Sequence, residues 1–378
     1  MNPTALLETL LTHYSPTGNE MSAVQFLHQA MEQLGYTAHI DAAGNVIGTR
    51  GSGPREILLL GHIDTVPGMI EVRSEGDLLF GRGAVDAKGA LACFTAAAAQ
   101  ITPPPGWRVT VIGAVGEEGD SRGAKYLCQR SYRNQPAPQM VIIGEPSGWE
   151  RITLGYKGST WMRYAVSHAT SHTAGKNQTA CELAFQFWLD LKNLADTWNA
   201  PYTRQFEQFT PTLYKMNTST DGLCDTARLN INLRLPLTIN EAGLRSMLSS
   251  IVNNGSIEWD EFLPAYRAEK NNVLVRAFLS AIRKTKGQPT FALKTGSSDM
   301  NLVVPLWNCP SVAYGPGDSN LDHTPKEHIS KSEYLKSIDV LVKVIEDLLA
   351  NSADVIAAKQ IGKEKKPDEN LVSRVIPG

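Results

Sequence analysis

A histidine and an aspartate follow an apolar run in the segment LLLGHIDTVPG at residues 58–68. Their spacing of two residues places His62 and Asp64 on the same face if the run is a β-strand. An imidazole that binds a metal ion is commonly oriented by a carboxylate behind it, and Asp64 could supply that group. The pattern therefore indicates a metal ligand, but a strand-end histidine that only hydrogen-bonds its neighbouring aspartate would produce the same pattern.

Four further segments place carboxylates or a histidine near glycines, where predicted strands end or a helix begins. They are GRGAVDAKG at 81–89, VGEEG at 115–119, IIGEPS at 142–147 and GPGDSNLDHTP at 315–325, with Asp86, Glu117, Glu118, Glu145 and His323 as the candidate residues. Each segment alone has another interpretation. Asp86 could cap the helix that follows, and a solvent-facing turn would also place two glutamates side by side.

Together, the five segments bring two histidines and four carboxylates to strand ends, where α/β sheets place their active sites. Histidine and carboxylate ligands without thiolates favour a catalytic metal centre of the zinc type over a structural one. The two adjacent glutamates can divide the work, one as a ligand and the other as a general base.

The order of predicted elements indicates an α/β domain that a second domain interrupts. Strand-like and helix-like segments alternate through the first 145 residues, which predicts a sheet covered on both faces. Near Gly155 the pattern changes to a β-α-β-β-α-like insert, and the α/β alternation resumes near Asn272. We therefore expect a discontinuous catalytic domain at 1–154 and 267–350, an inserted lid domain at 155–266 and a mobile C-terminal tail at 351–378.

Composition and charge exclude several classes of protein. The chain has 378 residues, enough for two domains, and its formal net charge of −2 gives no basic footprint for nucleic acid. The longest apolar run, residues 90–99, is too short to span a membrane. Five cysteines without a C-x-x-C pair predict reduced thiols and a cytoplasmic protein.

In their order, the five segments resemble the di-zinc aminoacylase/carboxypeptidase metallohydrolase family, which includes acetylornithine deacetylase and succinyl-diaminopimelate desuccinylase. The similarity covers about residues 1–350. It implies an α/β fold, with a phosphorylase/hydrolase-like catalytic domain and an inserted α+β ferredoxin-like lid domain that mediates dimerisation. It also implies amide hydrolysis with two divalent metal ions; zinc is expected, and cobalt or manganese would also accept these ligands.

The resemblance also implies a role for each candidate residue. The implied ligands are His62, Asp86 and Glu145 for one ion, and Asp86, Glu118 and His323 for the second. Asp86 would thus bridge the two ions. Glu117 would be the general base, and Asp64 would be the carboxylate that orients His62.

The lid domain is implied to supply a hydrogen-bond donor to the tetrahedral oxyanion. Spacing from the preceding glycines assigns this role to His172, which in family dimers reaches the active site of the partner subunit, so we expect a homodimer. His168, four residues earlier, is the competing candidate. Arg234 matches a family arginine that binds the carboxylate of the substrate, although a solvated strand arginine would fit the same pattern.

The segment KTGSSDMN at 294–301 resembles the lysine-biosynthesis branch of the family, which hydrolyses lysine or ornithine from the γ-carboxyl of a small acidic amino-group carrier protein. Lys294, Gly296 and Ser297 are the substrate-binding candidates, although an ordinary surface lysine would also fit. We therefore expect release of lysine or ornithine from an N-acyl or carrier-bound form. A general N-acyl-amino-acid deacetylase or dipeptidase is the alternative with the same centre, and a catalytically silent binding protein is the alternative from another class.

Overall fold

The computed structural model describes residues 1–129, 135–172, 174–253 and 255–363, with residues 351–363 described as backbone only. The helices are α1 (Pro3–Thr12), α2 (Met21–Gln33), α3 (Lys88–Ala98), α4 (Arg122–Cys128), α5 (Ala180–Asn199), α6 (Glu241–Ser249), α7 (Val273–Lys284), α8 (Met300–Trp307) and α9 (Lys331–Lys363). The strands are β1 (Thr37–Ile40), β2 (Val46–Gly51), β3 (Arg55–His62), β4 (Arg73–Glu75), β5 (Leu78–Phe80), β6 (Trp107–Ala114), β7 (Met140–Gly144), β8 (Arg151–Tyr156), β9 (Gly158–Ala169), β10 (Thr210–Thr220), β11 (Cys224–Leu235), β12 (Ser256–Trp259), β13 (Tyr266–Arg267), β14 (Thr290–Lys294), β15 (Ser311–Tyr314) and β16 (His328–Ser330).

Among the described residues, nine strands form the central sheet, in the order β1-β2-β6-β3-β7-β15-β8-β13 with β14 beside β8. Strand β3 pairs in parallel with β6 and β7, and β15 pairs in parallel with β7. The carboxyl ends of these four strands therefore lie at one edge of the sheet. They end at His62, Ala114, Gly144 and Tyr314, so the parallel arrangement brings four candidate segments together.

Helices cover the central sheet on both faces. Ile57 and Leu59 of β3 belong to a core cluster that contains buried residues of α1, α2, α3, α7 and α9. Leu58 and Leu60 belong to a second cluster, which contains buried residues of α4 and α8. Because successive side chains of a strand point to opposite faces, a strand covered on both sides needs an unbroken apolar run.

Between β8 and β13 the chain forms a second sheet of four antiparallel strands, in the order β10-β11-β9-β12. With α5 and α6, its elements follow the order β-α-β-β-α-β, which is the ferredoxin-like arrangement. The core of this unit includes Ala184, Phe187 and Leu191, which form an apolar stripe on α5. The predicted α/β fold with an inserted ferredoxin-like α+β unit is therefore confirmed.

The chain passes between the two sheets twice, directly after Tyr156 and before Tyr266. We accordingly propose the predicted limits, 1–154 with 267–350 for the catalytic domain and 155–266 for the lid domain. Within the described ranges, no helix combines the length and the apolar character needed to cross a membrane.

Several elements lack a pattern that would predict them. Almost every side chain of the edge strand β10 is exposed, so its sequence has no apolar alternation. Helix α8 contains Pro305, which is unusual in a helix interior. Strands β4, β5 and β16 have three residues each. Helix α9 continues to Lys363, into the tail predicted at 351–378, and residues 364–378 of that tail lie outside the described residues.

Candidate metal centre

His62 is buried at the end of β3, with one ring nitrogen turned toward Asp64 and the other toward Asp86. Its Nδ1 donates to the carbonyl oxygen of Asp64 at 3.0 Å and lies 3.6 Å from the Asp64 carboxylate. The carbonyl acceptor assigns a proton to Nδ1, which leaves Nε2 as the nitrogen that could bind a metal ion. Nε2 lies 3.1 Å from Asp86 Oδ1. Asp64 therefore lies where a group that orients His62 would lie.

Asp64 also holds the turn that carries the two glutamates. Its fully buried carboxylate accepts hydrogen bonds from the backbone N–H groups of Glu117 at 3.0 Å and Glu118 at 3.1 Å, and from the Thr17 hydroxyl at 2.7 Å. Burial would raise the pKa of Asp64, but the hydrogen bonds from His62, Thr17 and Glu118 outweigh it and hold the pKa below its ordinary value. A single carboxylate thus fixes both the imidazole and the turn.

Asp86 lies between two imidazoles. Its Oδ2 is 3.0 Å from His323 Nε2, which is also 2.9 Å from Glu118 Oε1. Although burial opposes it, the hydrogen bonds to His323 and His62 hold the pKa of Asp86 below its ordinary value. His323 has a φ of 60°, in the left-handed region, which costs a non-glycine residue about 1–3 kcal/mol and recurs at active and ligand-binding sites.

The centre is rich in buried carboxyl groups. Burial raises the pKa of Glu117 and Glu145 well above the ordinary value, and neighbouring carboxylates add to the effect. The hydrogen bonds to Asp86 and Glu118 raise the pKa of His323 to about 10, since a positive charge is strongly favoured here. A cluster of this kind is stable when cations lie within it.

The donor atoms fit two divalent cations that share one ligand. Two groups of side chains each have ligand atoms within 4.8 Å of one another: His62, Asp86 and Glu145, and Asp86, Glu118 and His323. A third, overlapping group combines His62 with Glu117 and Glu118. Imidazole nitrogens and carboxylate oxygens without thiolates suit zinc, cobalt or manganese at a catalytic centre.

The centre opens into a cleft of about 1110 Å³ that is lined by residues of both sheets and their loops. The predicted residues that line it are Asp86, Glu117, Glu118, Glu145, Arg234, Lys294, Gly296, Ser297 and His323. Arg234 of β11 donates from Nη1 to Ser297 Oγ at 2.9 Å, and the Lys294 ammonium donates to the Ser319 hydroxyl. The predicted substrate-binding residues therefore face the same cavity as the predicted ligands.

His172 is not among the residues that line this cleft. It is exposed in the segment after β9, where its Nδ1 accepts a hydrogen bond from the backbone N–H of Ala174 at 3.1 Å. The alternative, His168, lies on β9 and makes a ring hydrogen bond to the carbonyl oxygen of Ala169. A catalytic role for His172 would therefore require the cleft of a second subunit. This role stays a prediction.

Other residues of the site carry no motif that would predict them. Thr17 bonds to Asp64 from a loop 47 residues away in sequence, and Glu327 bonds to the backbone around Asp86 from 241 residues away. Tyr156 and Asp322 line the cleft, and the Tyr156 hydroxyl and Asp322 Oδ1 are buried without a hydrogen-bond partner in the described part of the chain. Burial and the nearby Asp86 raise the pKa of Asp322 to about 8. Only its position beside His323 could have drawn attention to Asp322.

Residues 58–347 match the family model described as Peptidase family M20/M25/M40, a span that contains all five chemical segments. The chain belongs to this family. This result confirms the resemblance found in the sequence and makes the chain a metal-dependent hydrolase of amide bonds.

A curated relative from Deinococcus radiodurans, named [LysW]-lysine hydrolase, is 39% identical over 350 residues, which covers 89% of this chain and 94% of the relative. Among solved structures, an M20 family metallo-carboxypeptidase from Sulfolobus solfataricus is similar with a TM-score of 0.75 and 17% identity, over 92% of this chain and 99% of that one. A dinuclear metal binding peptidase of the M20 family from Bacillus subtilis has a TM-score of 0.68 and 13% identity, over 92% and 98% of the two chains. These structural similarities confirm the fold.

Proposed function

We propose that this enzyme hydrolyses the amide bond between the amino group of lysine or ornithine and a small acidic carrier protein, and so completes the biosynthesis of the free amino acid. The relative named [LysW]-lysine hydrolase supports the choice of substrate. The observation that supports two-metal hydrolysis is the position of Asp86, which belongs to two ligand groups and lines the cleft.

The proposed centre holds two divalent metal ions, which we expect to be zinc, with cobalt or manganese as possible replacements. The proposed ligands are His62, Asp86 and Glu145 for one ion, and Asp86, Glu118 and His323 for the other. When bound, such ions polarise a carbonyl group and lower the pKa of water, so that a nucleophile forms at neutral pH.

Glu117 is the proposed general base and then the general acid. Its carboxylate lines the cleft, and its backbone is held by Asp64, so the side chain can take a proton from water and return it to the leaving amine. Burial raises the pKa of Glu117 well above its ordinary value, which is the direction that suits a carboxyl group that must hold a proton before it passes the proton on. The proposed donor to the oxyanion is His172 of a second subunit, which requires a homodimer.

The substrate-binding proposal assigns the α-carboxylate of the released amino acid to Arg234. Its guanidinium is held by Ser297 and faces the cleft, and a guanidinium is well suited to bind a carboxylate. Lys294 and the backbone of Gly296 are further proposed contacts with the substrate, because both line the cleft. The space beside Gly296 is open, since a Cβ at this position would meet no heavy atom within 4 Å. The five cysteines are free, which fits the proposed cytoplasmic location.

Hydrolysis of a matched panel by the zinc-loaded protein tests this proposal. The panel contains the lysine-charged carrier protein, γ-glutamyl-lysine, N-acetyl-lysine, N-acetyl-ornithine, N-succinyl-diaminopimelate and simple dipeptides, and the release of free amino acid is measured. We expect the carrier-bound and γ-glutamyl compounds to be hydrolysed best. A preference for dipeptides or neutral N-acyl amino acids would overturn the substrate proposal, and no hydrolysis of any compound would support a binding protein.

A further inference from the structure

Glu327 is a buried carboxylate on the loop between His323 and β16, with an exposed fraction of 1%. Its Oε1 accepts hydrogen bonds from the backbone N–H groups of Gly83 at 3.0 Å, Val85 at 2.9 Å and Asp86 at 3.1 Å. One carboxylate oxygen therefore fixes the backbone of the loop that presents Asp86.

Arg82 completes the connection between the two loops. It is also buried, and its Nη1 donates to Glu327 Oε2 at 2.8 Å and to the carbonyl oxygen of Thr324 at 3.2 Å. Its Nε donates to the carbonyl oxygen of Gly68 at 2.9 Å. Because Thr324 directly follows His323, the guanidinium fixes the loop that carries the histidine.

We propose that Glu327 and Arg82 are a positioning pair that sets the distance between Asp86 and His323, and thereby the affinity for the ion held by Asp86, Glu118 and His323. Asp86 Oδ2 and His323 Nε2 lie 3.0 Å apart although their loops are distant in the sequence. This inference rests on the two-ion centre proposed above. It gives the pair a role in metal binding in addition to any contribution to stability.

The chemistry of the pair supports a role beyond packing. Apolar residues often replace a buried ion pair at no cost in stability, so such pairs are weak evidence for a purely stabilising role. Here, however, apolar side chains would leave three converging N–H groups without an acceptor. Groups that orient metal ligands through hydrogen bonds typically change metal affinity or activity by about 10- to 100-fold when they are removed.

A second ion pair with a buried carboxylate provides a matched control. Arg108 Nη2 lies 3.3 Å from Glu56 Oε2, and Glu56 is 4% exposed. Glu56 is at the amino end of β3, six residues from His62, so about 20 Å of strand separates it from the metal centre. Glu56→Gln therefore removes the charge of a buried carboxylate without altering either ligand loop.

The test is a titration of the metal-free full-length protein with Zn²⁺, with metal content measured after dialysis and folding checked by circular dichroism. Wild type should bind two ions. Glu327→Gln should weaken the affinity for one ion by about 10- to 100-fold, more than for the other, whereas Glu56→Gln should bind both as wild type does. The inference is wrong if Glu327→Gln retains both affinities, or if Glu56→Gln weakens binding in the same way.

Arg82→Lys provides a second variant if Glu327→Gln does not fold. A lysine keeps the positive charge but cannot bond to Gly68, Thr324 and Glu327 in the same fork geometry. We therefore expect a smaller loss of affinity for the same ion. Wild-type affinities in this variant would contradict the inference. If the wild-type protein itself binds fewer than two ions, the two-ion centre fails, which distinguishes that result from a failure of the positioning pair alone.

Discussion

We call the residues that form or hold the candidate metal centre, Asp64, Asp86, Glu117 and Glu118, the floor of the cleft. Arg234 and Tyr214 of the inserted unit belong to its lid-side wall. The two regions differ in how their functional side chains are held. On the floor, Asp64 accepts three hydrogen bonds within a buried network, and Asp86 lies between two imidazoles. On the lid side, the Arg234 side chain donates a hydrogen bond to Ser297, and Tyr214 is 73% exposed. The floor is therefore held by hydrogen bonds within the unit of the central sheet, whereas the proposed substrate contacts combine groups from both units.

This difference follows from the chemistry each side performs. Catalytic and metal-binding groups must be held within about 0.5 Å of their productive positions, which requires supporting hydrogen bonds. A substrate-binding wall can consist of fewer, better-hydrated contacts, because each affects binding more than the reaction itself. Substitutions on the floor should therefore reduce turnover or metal binding, and substitutions on the lid side should raise KM.

The largest effect on turnover should come from Glu117→Gln on the floor. Loss of the proposed general base should reduce kcat by about 100-fold or more, while the protein keeps its metal ions. Steady-state kinetics together with metal analysis measure both quantities. Asp120→Asn changes an exposed carboxylate near the same turn and should keep most of the activity. Retention of activity by Glu117→Gln would show that another residue is the base.

A smaller but still large effect should follow from Asp64→Asn. The amide would place an N–H group toward donors that now face a carboxylate, so His62 and the Glu117 turn would both shift. We expect a loss of about 10- to 100-fold in activity or metal affinity. Thr17→Val removes only one of the three hydrogen bonds and should cause a smaller loss. An equal loss in both variants would argue against Asp64 as the common anchor.

On the lid side, Arg234→Ala should raise KM and change kcat little. A hydrogen bond to a charged group contributes about 1.5–3 kcal/mol, so KM should rise by about 10-fold or more. Arg228→Ala, on the same strand but exposed and bonded to Ser219, is the matched control and should keep the wild-type KM. A fall in kcat at constant KM in Arg234→Ala would contradict the division between floor and wall.

The smallest effect on the chemistry should come from Asn301→Ala at the junction of the domains. The buried Asn301 amide donates to the carbonyl oxygens of Tyr156, Lys157 and Pro264, where the chain passes between the sheets. Loss of these bonds should lower the free energy of unfolding by about 1–3 kcal/mol and leave metal affinity unchanged. A urea titration and a Zn²⁺ titration of the variant measure the two effects, and weaker metal binding would contradict the expectation.

The sequence indicated that several candidate ligands would lie close together, because the segments that carry them follow strands that pair in parallel. His62 and Glu145 stand directly after apolar runs, and β3 and β7 bring their ends to one edge of the sheet. Apolar patterns also predicted the α/β domain with helices on both faces of its sheet, and the β-α-β-β-α-like insert. An apolar pattern of period two or 3.6 reports burial, and burial determines these elements.

The sequence could not predict contacts between loops that no periodic pattern connects. Glu327 stands in a polar loop, and nothing in its neighbours indicates that it binds the backbone at Asp86. The position of the edge strand β10 could not be predicted, because its side chains are exposed and need not alternate. The role of His172 depends on a second chain, so neither the sequence nor a single subunit can determine it.

Metal analysis of wild type and His323→Ala, after equilibration with Zn²⁺ and dialysis, tests the two-ion centre most directly. The account predicts two ions per chain in wild type. In His323→Ala the binding of one ion should be lost or weakened, while the ion held by His62, Asp86 and Glu145 remains bound. An unchanged stoichiometry and affinity in His323→Ala, or a wild-type protein that binds no more than one ion, would contradict the account.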